Sequence, residues 1–218
     1  MRKLLAALLV LSLVLPVIAL AEPATKGTIV IGVYEPASGD NGAGGKQETL
    51  GVRYAHTLQP TVELSDGVYE IKLVEADNQS STDKAPTAAQ DLVSQDAAIV
   101  LGSYGSSVSI AAAPIFDRAG LVAIGLSCTN PQVTLGNPLY YRICFLDPFQ
   151  GTVLANFAMD KFNAKVAYCL GEAGNEYDQG LVTFFKTAFE AAGGKVITDS
   201  FPKNNSDFTS YLNKAKNE

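Results

Sequence analysis

Apolar and polar positions along this chain change period in a regular order. Residues 28–33 (TIVIGV) form a β-branched run without a charged position, as expected of a buried strand. A glycine loop follows, and residues 46–58 then place Leu50, Val52, Tyr54, Ala55 and Leu58 at largely helical spacing before Pro60 stops the helix. In residues 69–76 Tyr69, Ile71 and Leu73 alternate with Glu70 and Lys72, which predicts a strand with one wetter face. A helix over 83–95, with Pro86 near its start, leads to strand 97–101. A helix over 106–118, stopped near Gly120, leads to strand 121–124. Strand and helix alternating at this spacing imply right-handed crossovers and a parallel, doubly wound sheet.

Residues 140–145 (YYRICF) read as one more strand. The stretch 147–151 (DPFQG) interrupts the alternation, and a second series follows: helix 152–162, strand 166–170, helix 177–192, strand 195–201 and helix 207–216. The expected organisation is a first lobe over 22–146, a hinge crossing over 147–151 and a second lobe over 152–218. Two strands do not make a self-sufficient sheet, so this second lobe is expected to be incomplete.

Residues 1–21 have a basic start, a long apolar stretch and a small-x-small ending, Ala19-Leu20-Ala21, the pattern of a cleaved secretory signal peptide. An uncleaved anchor is the alternative; Pro16 and the Ala-x-Ala site favour cleavage and a periplasmic address. The formal charge is −6, and losing Arg2 and Lys3 leaves 14 basic residues against 22 acidic, a net charge of −8. With one His, no Trp and no basic cluster, the chain is not expected to bind nucleic acid, where Lys and Arg must neutralise phosphates. Three cysteines, Cys128, Cys144 and Cys169, are too few for a disulfide scaffold; a Cys128–Cys144 bridge and simple burial both remain open.

Most catalytic patterns fail on inspection. Gly42-Ala43-Gly44-Gly45-Lys46-Gln47 lacks the third glycine of a dinucleotide fingerprint, and there is no GxxxxGK[ST]. No GxSxG surrounds Ser103, Ser106 or Ser107, and the only His, His56, lies within a helical pattern. Glu172, Glu176 and Asp178 lack His or Cys partners at ligand spacing and read as solvated loop carboxylates. No enzyme activity, cofactor or metal is therefore expected.

Two hydroxyl-rich loops remain, each directly after a strand, where open α/β sheets bind ligands. Ser106 and Ser107 stand at a helix start, whose free N–H groups and positive dipole end suit a carboxylate. Helix capping explains one Ser, but not two with Tyr104 before and Ser109 after. Ser127 and Thr129 follow the neighbouring strand and can accept hydrogen bonds from an ammonium group, although loop chemistry before Asn130-Pro131 would also use them.

The segments GSYGSS (102–107), TNPQVT (129–134), YRICFLDPFQG (141–151) and YDQGL (177–181) together give the chain a specific resemblance. From about residue 28 onward it resembles the type 1 periplasmic solute-binding proteins of the branched-chain amino acid ABC-transporter family. That resemblance implies two doubly wound parallel-sheet lobes joined by a hinge, closing on a free amino acid and delivering it to a membrane permease. It implies a monomer at full length. Ser106 and Ser107 would meet the ligand carboxylate, Ser127 and Thr129 the ammonium, and Tyr177 would close over the ligand from the second lobe. Phe149 is a weaker cleft-wall candidate. Many members of this family carry an aromatic where this chain has Gly44, leaving that wall to Tyr34 or Tyr104. They also extend beyond this chain's length, so a truncated second lobe is expected. The runner-up is a sensor or receptor ectodomain of the same fold.

Overall fold

The computed structural model describes residues 25–218; the expected signal peptide lies outside the described residues. The chain runs β1 (Gly27–Glu35), α1 (Gly42–Leu58), β2 (Thr61–Leu64), β3 (Gly67–Asp77), α2 (Ala85–Ser94), β4 (Ile99–Leu101), α3 (Ser106–Ala119), β5 (Val122–Gly125) and β6 (Tyr140–Arg142). It continues through α4 (Asp147–Phe162), β7 (Val166–Glu172), α5 (Glu176–Ala191), β8 (Lys195–Phe201) and α6 (Thr209–Asn217).

The first sheet has the order β2-β3-β1-β4-β5-β6, parallel except for β2. The chain moves from β1 outward to β3 and then returns to place β4 on the other side of β1. The gap between the ends of β1 and β4 is thus a topological switch point, where the loops after the two strands diverge and leave a crevice. The β2 strand, antiparallel to β3 with Leu64 opposite Gly67, is absent from the sequence reading; TVEL is short and follows a Pro, which weakens its strand signal.

Phe116 of α3 anchors the core, edge-on to Tyr34 at 5.6 Å and tilted against Tyr140 at 6.3 Å between ring centroids. Around it pack Leu92, Val100, Ala112, Ala113 and Val133, all buried. The buried Tyr34 hydroxyl lies 3.1 Å from the Val108 carbonyl and 3.3 Å from that of Ala85, so the phenol is held between α2 and α3. Ala-rich faces on α2 and α3 let both helices lie close to the sheet, and Gly120 in the left-handed conformation ends α3.

The second sheet pairs β7 and β8 in parallel, with Phe189, Ala155 and Val196 as a small core beneath α4 and α5. An apolar groove of about 380 Å³, lined by Leu154, Phe157, Leu170, Leu181 and Phe185, lies open beside it.

Two expectations need correction. Residues 147–151, expected as the crossing, form the first turns of α4; Pro148 fits there because the opening N–H groups of a helix have no intrahelical partner. The chain instead passes between the sheets over residues 143–146. Second, α1 begins at Gly42, so the second half of the expected glycine loop is helical. These glycines serve close packing: a Cβ on Gly45 would lie 2.3 Å from the Pro36 carbonyl oxygen.

Candidate functional site

A cleft of about 630 Å³ opens at the switch point and is walled on its far side by the start of α5. It gathers Tyr104, Ser106, Ser107, Ser127, Thr129 and Tyr177, six of the seven residues singled out from the sequence. Phe149 is the exception. It sits on the first turn of α4, 64% exposed, with its ring 6.4 Å from that of Phe145, and Phe145 takes the place in the wall.

Helix α3 enters the cleft without a side-chain cap. Its N-cap is Gly105, at φ 127°, so the opening N–H groups keep their capacity to donate and the positive end of the helix faces the cavity. Neither serine spends its hydroxyl on capping. The Ser106 hydroxyl accepts from the Asn130 N–H at 3.2 Å, tying α3 to the loop after β5, and the Ser107 hydroxyl accepts from the Glu176 N–H at 3.0 Å. Ser107 therefore touches the opposite wall.

Two more contacts join the walls: the Asn130 side chain donates to the Glu176 carbonyl at 2.7 Å, and Lys203 pairs with Asp40 at 3.3 Å. Within the second unit, the Gln150 amide donates to the Tyr177 hydroxyl at 3.1 Å. Asn175 caps α5 by accepting from the N–H groups of Tyr177 and Asp178, which fixes where the Tyr177 ring leaves the helix.

The loop carrying Ser127 and Thr129 is held by Arg142. Its guanidinium donates to the carbonyls of Cys128 at 2.8 Å and Asn130 at 2.9 Å, and to the Thr134 hydroxyl at 2.9 Å. Replacing Arg142 with Met is expected to destabilise the protein by about 2 kcal/mol, because carbonyls in a part-buried loop lose a charged donor; chemical denaturation would measure it.

Behind this loop lies Asp147, fully buried at the start of α4, its N–H donating to the Thr129 carbonyl at 3.1 Å. Among the described residues neither carboxylate oxygen nor the buried Thr129 hydroxyl makes a well-formed hydrogen bond, and the two groups lie beside one another. Burial pushes the Asp147 carboxyl above its ordinary range, with Thr129 and Arg142 acting the other way.

The aromatic wall left open by Gly44 is supplied by Tyr104. A Cβ on Gly44 would lie 2.6 Å from the Tyr104 ring, so a side chain at 44 and this ring position exclude one another. Tyr34, the other candidate, is in the core and out of reach. Beneath Tyr104, whose N–H donates to Glu35 at 2.7 Å, the Glu35 carboxyl faces that of Glu48; burial first, then this neighbour, raises Glu35 to about 10.

Several lining residues escaped sequence reasoning: Ser80, Ser81, Thr82 and Asp83 after β3, Cys144 and Phe145 after β6, and Lys203 after β8. The polar stretch 77–83 follows a strand as the two hydroxyl loops do, and the strand-end rule applied there would have found it. Lys203 carries no such local signal. Glu172 and Asp178 also line the cavity, Asp178 accepting from the Glu172 N–H at 2.7 Å. His56 lies elsewhere, against the Ile71 carbonyl at 2.8 Å on α1.

A profile described as periplasmic binding protein matches residues 28–218. An amino acid binding protein of Pseudomonas aeruginosa is 33% identical over 193 residues, covering 86% of this chain and 50% of that protein. The crystal structure of a leucine binding protein from Thermotoga maritima superposes with a TM-score of 0.82 at 31% identity, covering 87% of this chain and 53% of that one. A solute binding protein of an ABC transporter from R. palustris, in complex with 4-hydroxybenzoate, has a TM-score of 0.74 at 25% identity, covering 87% and 51%. This chain thus spans about half the length of each of these relatives.

Proposed function

The chain belongs to the periplasmic binding protein family, and from that premise we propose that it is the extracytoplasmic solute-binding component of an ABC transporter, taking a free amino acid into the cleft and handing it to a membrane permease. The observation that carries this reading is the uncapped start of α3, opening into a cavity whose other wall is a second βα unit. Free helix N–H groups and the Ser107 hydroxyl form an anion site for the ligand carboxylate. Thr129 and Ser127 supply oxygen acceptors for the ammonium, with the buried Asp147 carboxyl behind them. Tyr104 and Tyr177 flank the space between.

Binding of a zwitterion between the two units replaces the Ser107–Glu176 and Asn130–Glu176 contacts by contacts through the ligand, so occupancy and closure are linked. The unit ending with β6 and the unit beginning with α4 act as the two lobes in this reading, with residues 143–146 as the bend. The carboxylate site is shared in kind by amino acids and by aromatic acids, and the ammonium acceptors discriminate between them.

Replacing Ser107 and Thr129 together by Ala is expected to weaken amino-acid binding on the order of 100-fold, through loss of two hydrogen bonds to charged groups. Calorimetric titration with leucine, with a polar amino acid such as glutamine and with 4-hydroxybenzoate would check it. Unchanged amino-acid affinity in the double variant, or benzoate binding with no amino-acid binding, would overturn the reading.

A further inference from the structure

We infer that Cys128 and Cys144 are a redox-active dithiol in the cleft wall, closing to a disulfide by exchange with a small soluble disulfide of the glutathione type. The sheet register brings them together. β5 and β6 are parallel neighbours with Gly125 opposite Arg142, and Cys128 and Cys144 follow within three residues of that pair. The Cys128 sulfur packs over Gly125, where a Cβ would lie 2.2 Å from it, next to the end of β6 from which the chain runs on to Cys144. The Arg142 guanidinium, bonded at 2.8 Å to the Cys128 carbonyl, holds the Cys128 backbone against the end of β6.

The two thiols differ in access. Cys128 is fully buried, whereas Cys144 is part-buried and lines the cleft. The proximity of each thiol to the other is the largest influence on both acidities. It lowers Cys144 to about 7, helped by Arg142 and opposed by burial and Glu48, and together with burial it keeps Cys128 protonated. A thiolate reachable from solvent beside a buried thiol is the arrangement of an attacking and a resolving cysteine.

The exchange balances without another reagent. The Cys144 thiolate attacks one sulfur of the soluble disulfide, forming a mixed disulfide and releasing one thiolate, which takes up the Cys128 proton. The Cys128 sulfur then attacks the Cys144 sulfur, forming the internal bridge and releasing a second thiolate, which takes a proton from water. The protein is oxidised by two electrons and the small disulfide is reduced to two thiols. The bridge ties the loop bearing Ser127 and Thr129 to the segment that crosses toward α4.

The test is incubation of the native protein with oxidised glutathione, followed by denaturation, alkylation and peptide mapping. Alkylated thiols should fall from three to one, Cys169, with the Cys128 and Cys144 peptides linked; three alkylated thiols, or linkage through Cys169, would overturn the inference. Cys128→Ser should accumulate a mixed disulfide on Cys144, while Cys144→Ser should leave Cys128 unmodified in the native state. Native Cys128 reacting in that variant as fast as Cys144 does in the wild type would reject the division of roles.

Discussion

Gly102→Ala should destabilise the protein by about 4 kcal/mol, the largest single-atom effect expected in the first sheet. Gly102 ends β4 at the switch point with φ 124°, and an added Cβ would lie 2.0 Å from the Tyr34 carbonyl oxygen and 2.7 Å from the Glu35 carboxyl. Backbone oxygen of the adjacent strand cannot swing away as a side-chain tip can. Its neighbours are fixed too: the Gly102 N–H donates to the Ile124 carbonyl at 3.0 Å, and the Tyr140 hydroxyl donates to the Gly102 carbonyl at 3.0 Å. Backbone strain of about 1–3 kcal/mol and overpacking of about 1–3 kcal/mol act together here. Gly136→Ala is the comparison, because Gly136 also has positive φ, at 78°, but nothing within 4 Å of an added Cβ; it should cost only about 1 kcal/mol. Urea unfolding of the two variants would measure the difference, and equal midpoints would refute the packing account.

Stability should also fall as pH rises, by about 3 kcal/mol between pH 4.5 and 7, on account of Glu35. This side chain is 3% exposed, and its carboxyl is raised to about 10 by burial first and then by the facing Glu48, against the pull of the Tyr104 N–H. An acid whose folded pKa is raised holds more protons folded than unfolded in the interval between the two values. Its contribution is complete below about pH 4.5 and is lost progressively as pH climbs toward 10. Asp147, raised by burial, acts in the same direction. Asp66, Asp77, Asp199 and Asp207 are lowered and act oppositely, but only below the ordinary carboxylate range. Glu35→Gln removes the titration while keeping an acceptor for Tyr104. The variant should therefore show a flatter stability profile and resist urea better than the wild type at pH 8. A wild-type profile that is flat from pH 5 to 8 would remove the basis for a protonated Glu35.

The same proton reaches the proposed ligand site. Glu35 supports Tyr104 through its backbone, and Tyr104 fills the space that Gly44 leaves, so ionisation of Glu35 is expected to loosen an aromatic wall of the cleft. Arg142 has a comparable reach on the other side, since it fixes the loop of Thr129.

Periodicity made most elements legible. The run at β1, the helical spacing of α1 and the alternation in β3 are local consequences of which faces must be buried. The hydroxyl loops were legible for a similar reason, because a loop placed directly after a parallel strand must lie at the sheet edge where ligands bind. What local sequence hid is equally physical. Residues 143–145 read as a continuation of β6, yet after Arg142 turns to bind three residues of the neighbouring loop the chain leaves the sheet. Phe149 reads as a cleft residue by proximity in sequence, yet helix α4 begins early and its turn directs the ring outward.

Composition and periodicity by themselves determined that this chain builds parallel βα units, and strand-end chemistry determined that Ser106, Ser107, Ser127 and Thr129 gather at one edge. Tertiary structure alone decided which groups oppose one another there. The pairing of Ser107 with Glu176, of Glu35 with Glu48, of Gly44 with Tyr104 and of Cys128 with Cys144 depends on strand order and on the approach of a second unit. Side-chain periodicity records only which face an element buries, and strand order is set by long-range packing that no local window contains.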